Sequence, residues 1–260
     1  MKVSENTTEA PFASAIPAWP SRTRPIAPWW HTILLAVIIV GISVFGTMQS
    51  KSLSFGGSHR LKRYAINIAW EWGLALLVWW GLWMRRTPLR EVLGLRRSGI
   101  KEWARDFGIA LIFWIMALLV LGAIAAVLRF FHLIQPQKVV MAIAPQSLAQ
   151  ILVWIALCAT AGIVEEFVFR GYLLQQFSSL RVMQRTGGNV WIGVVASSLL
   201  FGAAHGYEGI GGMIAITAYG AMFCILAIHR RSLRAGMIAH AWHDSVTGIA
   251  LAIAKHSHLL

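Results

Sequence analysis

Two adjacent glutamates, Glu165 and Glu166, lie in a long apolar stretch and are followed by Arg170. Charge inside a membrane-spanning segment costs roughly 2.5 to more than 10 kcal/mol at the bilayer centre, so it needs a partner or a function. On a helix, Glu166 and Arg170 share one face, whereas Glu165 is rotated by about 100°. The spacing predicts a Glu166–Arg170 ion pair and a Glu165 that points elsewhere in the bundle. An interfacial salt bridge would explain one glutamate well and the second poorly.

Two later apolar segments carry imidazoles. The first contains Phe201-x-x-x-His205 and the second His240-x-x-x-Asp244, with His243 as a rival member of the same cluster. His240 and Asp244 share a helix face. Such a pair can be a mutually satisfied polar pair, a proton relay or a catalytic dyad, and its apolar surroundings favour a function. His205, taken alone at the end of its segment, fits an interfacial or capping role better than a functional one.

A metal site is an alternative use of these residues. Glu165, His205 and His240 offer one oxygen and two nitrogen ligands, which would suit an open Zn²⁺ site if three helices bring them together. The sequence has no His-Glu-x-x-His motif, glycine-rich phosphate loop or Gly-x-Ser-x-Gly elbow. Of the remaining carboxylates, Glu71 is expected to be structural or to stand behind the site, and Glu208 to lie in a loop.

Composition indicates a polytopic membrane protein. Of 260 residues, 57% are hydrophobic and 13% are charged, whereas soluble domains carry about a quarter charged residues. The formal charge of +13 does not indicate nucleic acid as a partner. The arginines crowd short loops beside apolar stretches, as the positive-inside rule expects. Lipid is therefore the expected environment.

Apolar windows of about 20 residues, enough to cross about 30 Å, predict an all-α membrane bundle of seven or eight spans. The seven that can be recognised are Trp29–Met48, Tyr64–Met84, Phe107–Phe131, Ser147–Phe177, Val190–His205, Ile210–His229 and Ala235–Ala254. We expect one continuous membrane domain, 29–254, after a disordered tail, 1–28. Within that domain, N-terminal helices would occupy 29–146 and include a basic cytoplasmic loop, 85–105.

The motif set resembles that of the CPBP family of intramembrane proteases, which includes the CAAX prenyl endopeptidases and the bacteriocin-processing and immunity proteins. The resemblance covers about residues 147–254, the expected catalytic helices, and rests on Glu165-Glu166-x-x-x-Arg170, Phe201-x-x-x-His205 and His240-x-x-x-Asp244 in that order. It implies an integral membrane endopeptidase, in the cytoplasmic membrane if the source is bacterial. Its substrate would be a membrane-associated or lipidated peptide or protein.

The family likeness also implies roles. Glu165 would activate a water held between it and His205, first as general base and later as proton donor. His240 and the residue at 244 would stabilise the oxyanion. Arg170 would keep Glu166 ionised, and Phe201 would support the site from behind. The resemblance leaves open whether the same residues instead bind zinc.

One position departs from the family pattern, because many members carry Asn where this chain has Asp244. An amide can donate to an oxyanion, whereas an ionised carboxylate only accepts. Asp244 could be protonated, ligate a metal or orient His240 as an imidazolium donor, and we favour the orienting role. Two rival functions remain: a proton- or ion-coupled transporter, and a catalytically silent scaffold or immunity protein of the same fold.

Overall fold

The computed structural model describes residues 24–52, 60–94, 99–133, 143–180 and 188–256, and all regular structure in these ranges is helical. The α-helices are α1 (Trp29–Ser52), α2 (Arg60–Met84), α3 (Leu89–Val92), α4 (Ile100–Phe130), α5 (Leu148–Glu165), α6 (Leu174–Ser178), α7 (Gly188–Ala204), α8 (Gly209–Arg230) and α9 (Arg234–His256). A π-helix, Glu166–Leu173, joins α5 to α6, and a 3-10 turn, Gly206–Glu208, precedes α8. The predicted all-α class is confirmed.

Within the described ranges, five segments are long and apolar enough to cross a membrane. They are Trp29–Met48, Arg60–Met84, Ile100–Phe130, Leu148–Ser178 and Gly206–Arg230. Helix α7 is apolar but has 17 residues, fewer than the ~20 that a span needs. Helix α9 carries imidazoles and a carboxylate in its middle and is not among the five. Every predicted span corresponds to a helix, but a count of seven or eight spans is not confirmed.

The outer surface of the bundle is apolar. Ile33, Trp83 and Leu119 are each more than 60% exposed, on three different helices. Large apolar side chains at this exposure would be unfavourable in water and are accommodated by lipid tails. The bundle therefore has the surface of an integral membrane protein.

Helices α5 and α9 cross closely because Gly162 has no side chain. A Cβ atom at this position would lie 2.8 Å from the carbonyl oxygen of Met237 and 2.9 Å from the amide nitrogen of Ala241. Near the other end of the contact, Trp154 Nε1 donates to the carbonyl oxygen of Asp244 at 3.2 Å. Small residues allow such backbone contact between membrane helices. This crossing sets the two helices that carry most of the site against each other.

The turn after α7 is fixed by α1. The Ser43 hydroxyl donates to the carbonyl oxygen of Ala203 at 2.6 Å and accepts from the amide of Gly206 at 3.0 Å. A Cβ atom at Gly206 would lie 2.8 Å from that hydroxyl. Ser43 therefore holds the backbone on both sides of His205.

A buried charge cluster ties α4 to the turn between α8 and α9. Asp106 is fully buried and pairs with Arg230 at 2.6 Å and with Arg234 at 2.7 Å. The turn itself contains Arg231 in the left-handed backbone region. Within the predicted basic loop 85–105, α3 and the first turns of α4 are helical, residues 85–88 and 93–94 form turns and extended chain, and residues 95–98 lie outside the described ranges.

The predicted tail ends earlier than residue 28. Ile26 and Ala27 are buried, and both backbone amides donate to the side-chain oxygen of Gln176, at 2.9 and 3.2 Å. These contacts anchor the chain to α6 before α1 begins, so residues 24–28 belong to the bundle. The rest of the predicted disordered tail, residues 1–23, lies outside the described ranges.

Candidate active site

The predicted pair Glu166–Arg170 is confirmed as a fully buried ion pair. Arg170 Nη1 lies 3.0 Å from Glu166 Oε1, and both side chains have no exposed surface. The guanidinium also donates to the carbonyl oxygen of Gly220 at 3.4 Å. Gly236 faces the carboxylate from α9, where a Cβ atom would come within 3.0 Å of Glu166 Oε2. Two opposite charges therefore share one closely fitted, water-excluded site.

Aromatic rings enclose the guanidinium of Arg170. Its Cζ atom lies 4.2 Å from the ring centre of Phe201 and 4.9 Å from that of Phe223, distances typical of cation–π contacts. Phe201 is buried, as expected of a residue that supports the site from behind. Phe223 was not predicted, and its signal in the sequence is slight: it lies four residues after Tyr219 in a helix of mostly small and aliphatic residues.

The imidazole of His240 is the centre of the site. Its Nδ1–H donates to Glu166 Oε1 at 3.0 Å. Its Nε2 atom lies 3.6 Å from Glu165 Oε2 and 3.6 Å from Asp244 Oδ2. The ring of Phe223 stacks on it, with centroids 5.2 Å apart. One imidazole therefore faces a buried carboxylate on one edge and two less buried carboxylates on the other.

Glu165 lies apart from the Glu166–Arg170 pair, as the helical spacing predicted, and it approaches the opposite edge of the His240 ring. Both glutamates reach His240, one at each ring nitrogen. The backbone angles of Glu165 and Glu166 are both α-helical, so their side chains diverge by about 100° as in an undistorted helix. The π-helix begins at Glu166 and follows this step. Such π-helical segments often occur at functional sites.

Glu165 and Asp244 border the accessible side of the site. The side chain of Glu165 is 17% exposed and that of Asp244 is 34% exposed, whereas His240 is 5% exposed. His240 and Asp244 share a face of α9, as their spacing predicted. Because exposure increases from His240 to the two carboxylates, a substrate would reach Glu165 and Asp244 before the buried pair.

His205 lies at the end of α7, beside the same cluster. Its Nδ1–H donates to the carbonyl oxygen of Phe201 at 2.9 Å, which leaves the lone pair on Nε2 when the ring is neutral. The imidazole interacts electrostatically with Asp244 and Glu208. His205 and Asp244 are therefore near each other, while the described contacts of the His205 ring are with Phe201 and Tyr207.

Two carboxylates that the sequence placed outside the site interact with it. Glu71, on α2, interacts electrostatically with Glu165, His240 and Asp244, and its buried Oε2 has no hydrogen-bond partner among the described residues. Glu208, in the 3-10 turn, interacts with Glu165 and Asp244. The sequence hinted at Glu71 only as an isolated carboxylate in a membrane span, and nothing local distinguished Glu208 from a loop residue.

His243, the rival member of the histidine cluster, has different neighbours. Its ring lies 5.0 Å from that of Tyr219, and its buried Nδ1 has no partner within the described ranges. His240, not His243, contacts the carboxylates of the Glu165-Glu166 motif.

The predicted zinc ligands do not form a recognisable metal site. In the part of the chain that the structure describes, no group of three or more His, Cys, Asp or Glu side chains is arranged to hold a metal ion. Buried Glu166 and Arg170 neutralise each other behind His240, and one nitrogen of His240 is already bonded to Glu166. The zinc site with Glu165, His205 and His240 stays a prediction, and the chemistry of these side chains can be described without it.

The fold is a helical membrane bundle, and a cluster of carboxylates and imidazoles lies inside it. Residues 145–246 match the family model described as "Type II CAAX prenyl endopeptidase Rce1-like". This segment contains the complete motif set, and its similarity to that family confirms the resemblance seen in the sequence. No curated protein and no solved structure matches the chain. The apolar helices and the similarity to this family together indicate an integral membrane protein.

Proposed function

We propose that this chain is an intramembrane endopeptidase that hydrolyses a peptide bond in a membrane-associated or lipidated peptide with a water activated by Glu165. The observation that carries the proposal is the convergence of Glu165, His240 and Asp244 from two crossing helices. The two carboxylate oxygens each lie 3.6 Å from one imidazole nitrogen. The match to the prenyl endopeptidase family supports a lipidated substrate.

In the first step, the Glu165 carboxylate accepts a proton from water as the water oxygen attacks the carbonyl carbon of the substrate. Glu165 suits this role because it is partly exposed and its Oε2 has no hydrogen-bond partner among the described residues. His205 supports the same step, since Nε2 of the neutral ring can accept a hydrogen bond from the second hydrogen of the water, which stays on the attacking oxygen. The product of the step is a tetrahedral intermediate with a negative oxygen.

In the second step, protonated Glu165 gives its proton to the nitrogen of the scissile bond. The C–N bond breaks, the tetrahedral carbon becomes a carboxylic acid, and the amine leaves with the proton. Glu165 returns to its ionised form, so the site is ready for a further turnover. The water supplies all the atoms added to the products.

His240 stabilises the negative oxygen. Its Nδ1–H is held by Glu166, which fixes the plane of the ring and directs Nε2 to the side of Glu165 and Asp244. In its imidazolium form, Nε2–H donates to the oxyanion, and the surrounding carboxylates favour that form. Asp244 holds the imidazolium in orientation. Arg170 compensates the charge of Glu166 and so leaves Glu166 as a fixed acceptor.

The test is proteolysis by the purified chain in liposomes. The substrates are a farnesylated CAAX peptide, the same peptide without the lipid, and a proteome-derived peptide library read by mass spectrometry. We expect cleavage by the wild type and a loss of at least 100-fold in Glu165→Ala and in His240→Ala, within the range for general acid–base groups. Glu102→Ala is the matched control, because Glu102 is half-exposed and forms its ion pair with Arg234, not with a residue of the site.

Two outcomes would contradict the proposal. Cleavage that persists in folded Glu165→Ala would exclude this glutamate as the base. Ion or proton flux that depends on Glu165, without cleavage of any peptide, would favour a coupled transporter. Folding of each variant is checked by near-ultraviolet circular dichroism before the assay.

A further inference from the structure

Tyr219 carries a buried hydroxyl group that has no partner. The residue lies on α8 and is 5% exposed, and its hydroxyl makes no hydrogen bond with any residue that the structure describes. Leaving a buried hydroxyl unpaired lowers the stability of the folded state. A group that costs stability in the resting protein is a candidate for a role in the bound state.

The position of Tyr219 places that hydroxyl at the site. Its ring centre lies 6.3 Å from that of His240 and 5.0 Å from that of His243. The hydroxyl is within electrostatic range of Asp244, Glu166 and Arg170, which lie on different helices from Tyr219. Phe223 packs against the ring at 4.4 Å and fixes its plane. The hydroxyl therefore has few orientations, and it lies on the side of α8 that faces the catalytic imidazole.

Because position 244 carries a carboxyl group and not an amide, the site lacks one hydrogen-bond donor to the oxyanion. Oxyanions are normally stabilised by more than one donor, and His240 Nε2 supplies one. In the orienting role proposed above, the carboxylate of Asp244 is ionised and cannot supply another, whereas an amide could. A phenol is a donor that stays neutral, so it can stand beside Asp244 and Glu166 without adding charge.

We infer that the Tyr219 hydroxyl is the second hydrogen-bond donor to the tetrahedral oxyanion, in place of the amide that the Asp244 position lacks. The inference rests on the proposed function, and it makes Tyr219 a catalytic residue. Among the described residues the hydroxyl has no hydrogen bond that must be broken before it donates to the oxyanion. Its orientation is fixed in advance by packing, so little reorganisation is needed during the reaction.

The first test is Tyr219→Phe, which removes only the oxygen and keeps the ring contacts. We expect kcat to fall roughly 100-fold with little change in KM, at the lower end of the loss seen when one oxyanion donor is removed. We expect the unfolding temperature to stay the same or rise, because the lost hydroxyl had no partner. A fall in both unfolding temperature and kcat would mean that the hydroxyl bonds Asp244 or His243 at rest, and would overturn the inference.

Tyr172→Phe is the matched control. The Tyr172 hydroxyl is buried away from the site and lies 2.9 Å from both His31 Nδ1 and Thr32 Oγ1. Its removal should lower the unfolding temperature and leave kcat near the wild-type value. The two tyrosines thus predict opposite pairs of results, and equal behaviour of the two variants would contradict the assignment.

The second test is rescue. In the Tyr219→Phe background, Asp244→Asn should restore kcat by at least tenfold, because the amide supplies the missing donor; no restoration would overturn the inference. Glu165→Ala in the same assay separates the two proposals. If Tyr219→Phe is fully active and Glu165→Ala is inactive, only the role of Tyr219 is contradicted. If Glu165→Ala still cleaves the peptide, the proposed function itself is contradicted.

Discussion

The Nδ1 atom of His240 lies 3.0 Å from Glu166 Oε1, and this buried hydrogen bond joins α9 to the π-helix. Glu166 is at the same time the partner of Arg170. The central imidazole is therefore oriented by a carboxylate that is itself held by a buried guanidinium. This arrangement separates the two glutamates of the motif: Glu166 supports the site, while Glu165 borders its accessible side.

The first prediction concerns the buried ion pair. Glu166→Ala should destabilise the folded protein by about 3–5 kcal/mol, because Arg170 then keeps a buried charge without its partner. The double variant Glu166→Ala/Arg170→Met should recover much of this loss, since an apolar pair leaves no buried charge. Thermal unfolding in detergent, followed by circular dichroism, measures both effects. An unchanged unfolding temperature in Glu166→Ala would show that the pair is not buried as described.

The second prediction concerns Asp244. Asp244→Asn should retain cleavage, because an amide can still accept from His240 and can also donate to an oxyanion. Asp244→Ala should lose much of the activity, because nothing then orients the Nε2 edge of His240. The comparison is made on kcat for the same peptide. A folded Asn variant without activity would contradict the orienting role.

The third prediction concerns the tether between α1 and the turn at His205. Ser43→Ala removes two hydrogen bonds that hold Ala203 and Gly206. We expect a loss of roughly 1–3 kcal/mol in stability and a decrease in kcat, as buried backbone groups lose their partner. Ser178→Ala is the control, because its hydroxyl bonds only the carbonyl of Leu174 in the same helix.

One result would contradict the prediction for Ser43. If Ser43→Ala and Ser178→Ala have equal activity and unfolding temperatures, α1 does not position the turn at His205. A selective decrease in Ser43→Ala would instead connect the N-terminal helix to the catalytic helices.

The fourth prediction concerns the crossing of α5 and α9. Gly162→Val should destabilise the protein by about 1–3 kcal/mol and lower kcat, since the new side chain must separate Glu165 from His240. Gly122→Val is matched to it, because a Cβ atom at Gly122 has no neighbour within 4 Å. Unfolding temperature and kcat are measured for both. If Gly162→Val and Gly122→Val have equal activity, separating α5 from α9 does not disturb the contact between Glu165 and His240.

Local spacing in the sequence was enough to predict the pairs that lie within one helix. Glu166 with Arg170, and His240 with Asp244, are each four residues apart, and the repeat of the helix fixes that neighbourhood. The apolar windows likewise identified the long helices, because their length and composition are local properties. The family resemblance followed from the same local motifs, and the family match over residues 145–246 agrees with it.

The tertiary structure alone decided which helices meet. The approach of Glu165 to His240 depends on the crossing of α5 and α9 at Gly162, which residue spacing within one helix does not encode. Tyr219 and Glu71 carry no motif, and they reach the site from α8 and α2 because of packing. Contacts between distant segments depend on side-chain shape summed over whole interfaces. For that reason the sequence predicted the members of the motifs, and the structure decided what surrounds them.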